Sequence, residues 1–281
     1  MNLWTIFDSI ITRAHNFGGI IMDKDIFENA KKWVLKAGKR IKEGMYQPME
    51  IDTKSDPNDL VTSLDKDTEK YFNQKIKETY PHHKLFGEEG FGDEIKSLKG
   101  TIWIVDPIDG TTNFVHQGRN FCISVGIYKN GIGEIGIIYD VILEQLYVAK
   151  RNKGAYKNGK RLKKLREDLP KEEAILGINH FLLCQNRLVD YRATQDLVRK
   201  VRGVRSYGSA ALQFAYVAEG VLDGYLALRL SPWDVAAGMI LVNEVGGKTT
   251  NLFGESLDML SKDSLLTSNG NIHVELIRQY E

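Results

Sequence analysis

Two cysteines, Cys122 and Cys184, are all that 281 residues contain. They stand far apart and form no CxxC pair. That excludes a disulfide-stapled scaffold and a thiolate zinc site, and leaves buried, reduced thiols as the expectation. An excess of one charge is also missing: 38 Lys and Arg face 37 Asp and Glu, a net charge of +1. Nothing global therefore points to nucleic acid or an anionic membrane. No apolar run approaches the roughly 20 residues that cross a bilayer. The first 21 residues, interrupted by Asp8, Arg13 and His15, lack the basic leader and unbroken apolar core of a secretory signal. A cytoplasmic protein is the expectation. Internal repeats and low-complexity linkers are absent, and a hydrophobic content of 42% is enough for one large core or two modest ones.

What is present is one dense stretch, Trp103-Ile104-Val105-Asp106-Pro107-Ile108-Asp109-Gly110-Thr111-Thr112-Asn113-Phe114. A buried strand of Trp, Ile and Val is expected to deliver Asp106 at its tip. Pro107 stiffens a turn there, and Asp109 can return its side chain to the side of Asp106. Gly110 lets the backbone approach a ligand with no Cβ in the way. A helix starting at Thr111 would aim the free N–H groups of its first turn at the same spot, where they favour an anion. Hard cations take carboxylate oxygens, and Mg²⁺ shares its shell with water and phosphate esters. The alternative is an ordinary turn and cap, since Asp-Pro and Asp-Gly are common turn dipeptides and Asp or Thr commonly precedes a helix.

Along the chain, Ile26, Phe27, Ala30, Trp33, Val34, Ala37 and Ile41 recur at helical spacing. A second helix is expected from Asp65, with Phe72, Ile76 and Tyr80 on its apolar face and Pro81 as its stop. Leu85-Phe86 reads as a short strand running into Gly87-Glu88-Glu89-Gly90. Strands follow over residues 121–128, 134–139 and 145–149, with Asn130-Gly131 and Asn158-Gly159 as hairpin turns. The second half alternates strands (174–178, 224–228, 265–267) with helices (191–201, 209–218, and one opened by Asp234). This interleaving predicts an α/β (α+β) protein in layers. Residues 1–21 are expected to lie outside the fold and 22–281 to form one catalytic domain, softly divided near 162–172.

Glu88, Asp234 and Asp65 each sit where an apolar element meets a turn, the place from which scaffolds present side chains to a cleft. Each is also open to a plainer reading, as a solvated loop acid or a helix cap. Taken in order, Asp59-Leu60-Val61-Thr62-Ser63-Leu64-Asp65, Gly87-Glu88-Glu89, Asp106 to His116 and Trp233-Asp234-Val235-Ala236-Ala237-Gly238 resemble the inositol monophosphatase family of Mg²⁺-dependent, lithium-sensitive phosphatases. The likeness runs from about Phe27 to Ile272.

The resemblance implies a layered α/β/α/β/α sandwich of the inositol monophosphatase and fructose-1,6-bisphosphatase type, working as a homodimer. It implies that Glu88, Asp106 and the Ile108 carbonyl hold one Mg²⁺. Asp106, Asp109 and Asp234 would hold a second, with a looser third beside Glu88. Asp65, Thr111 and Glu88 become the catalytic set, the Asp65–Thr111 pair orienting the attacking water. Ile108, Asp109, Gly110, Thr111, Gly208, Ser209, Ala210 and Asp234 would line the substrate. Lys54 matches a basic residue near the phosphate, or is a solvated lysine. Ala227 stands where many inositol-specific members carry a glutamate, and Arg229 beside it would suit a more anionic substrate. The substrate is thus a small phosphate ester, inositol monophosphate first. NADP 2′-phosphate, fructose 1,6-bisphosphate or a broad range are the alternatives, and a non-catalytic regulator is a more distant one. The basic stretch Lys150–Arg166 with Tyr156 reads as a solvated hairpin, with RNA contact as its rival.

Overall fold

The computed structural model describes residues 20–53 and 60–280, with side chains from residue 25. Lys54 and Asp59, and residues 1–19, lie outside the described residues. Helix α1 (Ile20–Gly44) buries Ile26, Ala30, Trp33, Val34, Ala37 and Ile41, the stripe expected from the periodicity. A short antiparallel pair, β1 (Ile51–Thr53) and β2 (Leu60–Thr62), leads into α2 (Ser63–Thr79). Thr62 is the N-cap of α2, and the helix ends at Thr79, two residues before Pro81.

Seven strands form the first sheet: β3 (Lys84–Gly87), β4 (Thr101–Asp109), β5 (Cys122–Lys129), β6 (Ile132–Asp140), β7 (Gln145–Lys150), β8 (Gly154–Lys157) and β9 (Lys160–Arg161), in that spatial order. Only β3 and β4 run parallel, and the rest is the expected meander. At its hairpins, Asn130 and Gly131 (φ 52° and 81°) and Asn158 and Gly159 (φ 46° and 78°) take the left-handed conformations that match a turn to the twist of its strands. A short helix, α3 (Thr111–Gln117), bridges β4 and β5.

Residues 162–172 cross to a second sheet with the order β11-β10-β12-β14-β13. Its strands are β10 (Ile175–Ile178), β11 (Gly203–Arg205), β12 (Gly224–Leu230), β13 (Lys248–Thr250) and β14 (Asp263–Ser268). Helices α4 (Tyr191–Lys200) and α7 (Gly270–Ile277) cover its outer face, while α5 (Ala210–Glu219) and α6 (Pro232–Glu244) lie between the sheets. Three apolar cores fill the gaps: α1 and α2 on the first sheet, the sheets on α5 and α6, and the second sheet on α4 and α7. The result is the α/β/α/β/α sandwich that the resemblance implied. Among the described residues, no helix is long and apolar enough to cross a membrane.

Glycines in the first sheet let α6 come close. A Cβ on Gly126 would stand 2.7 Å from that of Ala236, and one on Gly136 would stand 2.5 Å from the Ala237 carbonyl. Tyr128 Oη donates to the Ala236 carbonyl at 2.9 Å and ties the two layers. The short run Ala236-Ala237-Gly238 is what permits this approach, and it brings the start of α6 down onto β4.

Three expectations need correction. Asp106 is not at a strand tip: β4 continues through Pro107 to Asp109, with a register shift between the two acids. Pro107 has no N–H to offer a neighbour, so the ladder slips there instead of ending. Asp234 does not open α6 but is its third residue, after Pro232. Cys184 is exposed, because it ends a surface 3₁₀ turn (His180–Leu183), whereas Cys122 is buried.

His273 makes a separate prediction. Its ring is buried, with Nδ1 2.8 Å from Ser268 Oγ and Nε2 3.0 Å from Thr250 Oγ1. Burial, aided by Lys248, lowers its pKa from 6.5 to about 4. Below pH 6.5 the unfolded chain takes up a proton that the folded one refuses, so stability falls as pH drops toward 4. At pH 5 the loss is roughly 2 kcal/mol. Urea unfolding of His273→Gln, compared with wild type at pH 7.5 and pH 5, should show the variant without that loss.

Candidate active site

Four acids from three segments meet: Glu88 just after β3, Asp106 and Asp109 on β4, and Asp234 on α6. The carboxylate oxygens of Asp106, Asp109 and Asp234 lie within 4.8 Å of one another. Asp106 and Asp109 are 1% and 6% exposed. Glu88, just past the end of β3, reaches Asp106 and raises its pKa by hydrogen bonding and by charge. Phe86 meets Trp233 edge-on at 5.4 Å, which fixes the Glu88 strand against the start of α6.

Burial, then the charges of Glu88, Asp109 and Asp234, pushes the Asp106 carboxyl well above its ordinary range. Burial and the charges of Asp109 and Glu88 do the same to Asp234, opposed by the Ser231 amide and Lys262. Burial also raises Asp109, but to about 6, because hydrogen bonds from Ser209, Ala211 and Ala210 favour its anion. Three such carboxyls packed together are poorly stable as bare anions.

The acids that could be mere helix caps are caps, and something more. Asp65 is the third residue of α2, and its Oδ2 accepts from the Thr62 amide at 2.8 Å and from the Thr62 hydroxyl. Its Oδ1 takes the Thr111 hydroxyl at 3.2 Å. Asp234 repeats the device on α6, its Oδ2 accepting from the Ser231 amide at 2.6 Å. One oxygen caps the helix and the other remains for chemistry.

Thr111 Oγ1 also lies 3.0 Å from the Ile108 carbonyl, and the Ile108 amide donates to Asp106 Oδ1 at 3.0 Å. Gly110 sits at φ 94° and precedes α3 with no side-chain cap. It abuts Gly208: a Cβ on Gly110 would meet the Gly208 carbonyl at 3.2 Å.

Ser209 and Ala210, expected to line the substrate, attend to Asp109. The Ser209 hydroxyl donates to Asp109 Oδ2, the Ala210 amide to Oδ1 at 3.2 Å and the Ala211 amide to Oδ2 at 2.7 Å. Asp109 thereby caps the N-terminus of α5. Cys122 Sγ lies 3.6 Å from the same carboxylate oxygen.

Ala227, placed by the resemblance against the alcohol, is fully buried in the core and pairs with Leu265 on β14. A register shift follows it, and Arg229 emerges exposed at φ 60°. Part of the basic stretch is engaged within the chain: Lys157 pairs with Glu219 at 2.7 Å, Arg151 with Glu134 at 3.2 Å, and Lys164 donates to the Glu244 carbonyl at 3.0 Å.

Two groups escaped the sequence reading. Glu69, fully buried on α2, accepts from the Glu89 and Phe91 amides at 2.6 and 2.7 Å. Asn73, one turn on, donates to the Phe91 carbonyl at 2.5 Å. Their spacing of four from Asp65 was the available signal. A cleft of about 480 Å³ opens beside Glu88, lined by Asp52, Thr53, Val61, Lys66 and Glu89.

The donor set fits a divalent cation. Ligand bonds of about 2.0–2.6 Å allow two carboxylate oxygens on one ion to stand up to roughly 5 Å apart, and only hard, acceptor-only oxygens converge here. A cation would also remove the mutual repulsion that holds protons on these acids.

The chain is similar in sequence and fold to known proteins. The chain is 52% identical over 256 residues to the inositol-1-monophosphatase of Bacillus subtilis, covering 91% of this chain and 96% of that one. The inositol monophosphatase II of Staphylococcus aureus, solved with inositol monophosphate bound, is 41% identical with a TM-score of 0.81, covering 91% of this chain and 93% of that one. An IMPase/NADP phosphatase complexed with NADP and Ca²⁺ gives a TM-score of 0.84 at 28% identity, covering 91% and 95%. The sequence pattern of one phosphatase family matches from residue 22 to residue 281. With that match added to the converging acids, the chain belongs to the inositol monophosphatase family.

Proposed function

We propose that this protein is a Mg²⁺-dependent phosphomonoesterase that hydrolyses inositol monophosphate or a closely related small phosphate ester. The observation that carries the reading is the three-carboxylate cluster with the Thr111–Asp65 pair beside it. Glu88, Asp106 and the Ile108 carbonyl would hold one cation, and Asp106, Asp109 and Asp234 another. Such cations supply Lewis-acid activation of water and neutralise charge on the leaving oxygen.

The chain's own groups do the rest. Thr111 Oγ1 accepts a water's hydrogen bond and passes its own proton toward Asp65 Oδ1, 3.2 Å away. The Thr62 amide and hydroxyl hold Asp65 in the rotamer that faces Thr111. The amides from Gly110 onward, at the start of α3 that no side chain caps, would serve the phosphoryl oxygens. The loss of Oγ1 in Thr111→Ala should lower kcat roughly 10²- to 10⁴-fold and leave Mg²⁺ affinity unchanged, as measured by phosphate release and calorimetry.

Arg229 favours a second substrate reading. It is exposed on the bulge of β12, while Ala227 offers no acceptor for ring hydroxyls. A more anionic ester, such as the 2′-phosphate of NADP, would suit that cation. A phosphate-release panel with Mg²⁺, comparing inositol 1-phosphate, NADP and fructose 1,6-bisphosphate with and without lithium, ranks the candidates. Release from none of them would overturn the assignment. The resemblance also supports a homodimer in the cytoplasm, and sedimentation velocity tests the assembly.

A further inference from the structure

Helix α2 presents Asp65, Glu69 and Asn73 at intervals of four residues, so all three share one face. Asp65 serves Thr111. The other two reach the loop that follows Glu88. Glu69 Oε2 accepts from the Glu89 amide at 2.6 Å and Oε1 from the Phe91 amide at 2.7 Å. Asn73 Nδ2 donates to the Phe91 carbonyl at 2.5 Å. Beyond them, Asp93 Oδ2 takes the Leu85 amide at 2.9 Å and closes the loop back onto β3. On the other side of Glu88, a Cβ at Gly87 would stand 2.5 and 2.6 Å from the two oxygens of Glu69. Only glycine leaves room for that carboxylate.

We propose that Glu69 is a positioning residue that fixes Glu88 for cation binding, a role that rests on the reading of Glu88 as a ligand. Burying a carboxylate is expensive even when it is hydrogen-bonded. A loop that merely needed a tether could use a hydroxyl or an amide. The carboxylate does more: its two oxygens hold the two amides on either side of Gly90 in a charge-assisted fork, which leaves the Glu88 backbone a single orientation. Partners that orient a metal ligand from behind carry much of a site's affinity.

The test titrates Mg²⁺ alone into the full-length wild type and Glu69→Gln by calorimetry, with amide exchange followed at Glu89 and Phe91. Glutamine keeps the volume but turns a donor toward one of the two amides. Mg²⁺ affinity should fall roughly 10- to 100-fold and exchange at both amides should accelerate. At saturating Mg²⁺ the KM for inositol 1-phosphate should not move, a split that general loosening of the fold would not produce. A wild type that binds no Mg²⁺ would defeat the metal reading itself. A binding wild type with a variant of equal affinity would overturn the role of Glu69 alone. If Glu69→Gln does not fold, Asn73→Ala decides: severalfold weaker Mg²⁺ binding with faster exchange at Phe91 supports the proposal, and unchanged affinity overturns it.

Discussion

Asp106→Asn is expected to abolish phosphate release while the metal-free protein melts at a higher temperature than wild type. Both effects come from the same crowding. Asp106 is 1% exposed and faces the charges of Glu88, Asp109 and Asp234. An isosteric amide keeps an Oδ1 for the Ile108 amide, so the bulge in β4 survives. At high pH, where ionisation of Asp106 adds to the repulsion, the amide removes that charge, and relieving a buried uncompensated charge stabilises by on the order of 1–3 kcal/mol. It also removes the carboxylate that both cations would share. A loss of turnover of about 10³-fold or more corresponds to about 4 kcal/mol of transition-state stabilisation. Calorimetric melting in chelator at high pH, with phosphate release in Mg²⁺, reads both. Activity within tenfold (about 1.4 kcal/mol) of wild type would exclude a shared ligand at this position. A lower melting point in chelator would show that repulsion in the cluster is not the dominant strain.

The second large effect couples protons to metal. The folded Asp109 holds its proton up to about pH 6, and Asp106 and Asp234 are pushed upward too. Their unfolded counterparts lose theirs near pH 3.8, so the folded state binds more protons between these values. In chelator, this contribution to stability is fully present at low pH and is lost as pH rises through the folded pKa values. A cation replaces the protons, so Mg²⁺ should stabilise strongly at pH 8 and weakly at pH 5.5, where it must displace them. At a hundred times its Kd it adds about 2.7 kcal/mol at pH 8. At pH 5.5 we expect less than half that, about 1 kcal/mol. The reading is the difference in unfolding free energy with and without Mg²⁺ at each pH. His273, whose effect has the opposite sign, cancels in that difference because it is the same in both arms. An equal Mg²⁺ increment at both pH values would rule out the carboxylate cluster as the cation site.

Much of the site could be read locally. Asp106 and Asp109 are three residues apart in one stretch, and Trp233-Asp234 precedes an apolar helix, so their chemistry was visible without coordinates. The helix-cap reading of Asp65 and Asp234 was equally visible. The two readings turned out to be compatible, because a carboxylate has two oxygens and a capping box uses one. Pro107 misled: within four or five residues it signals a turn, and only pairing with β5 shows a bulged strand. The bonds of Ser209 and Ala210 to Asp109 were not legible at all. The partners stand 100 and 101 residues apart, and no periodicity reports a bond of that span.

The sequence by itself determined the chemistry that is possible here: hard oxygen ligands, a hydroxyl beside a carboxylate, uncapped amides near Gly110, and the helices and strands that carry them. Tertiary structure alone decided which groups face one another. It placed Asp109 under the start of α5, buried Ala227 in the core, and set Glu69 behind Glu88. Local pattern records the surface each element must bury. Which partner covers that surface depends on shape and on the closeness of approach, as at Gly126 and Gly87, where a missing Cβ matters only because of an atom from elsewhere in the chain.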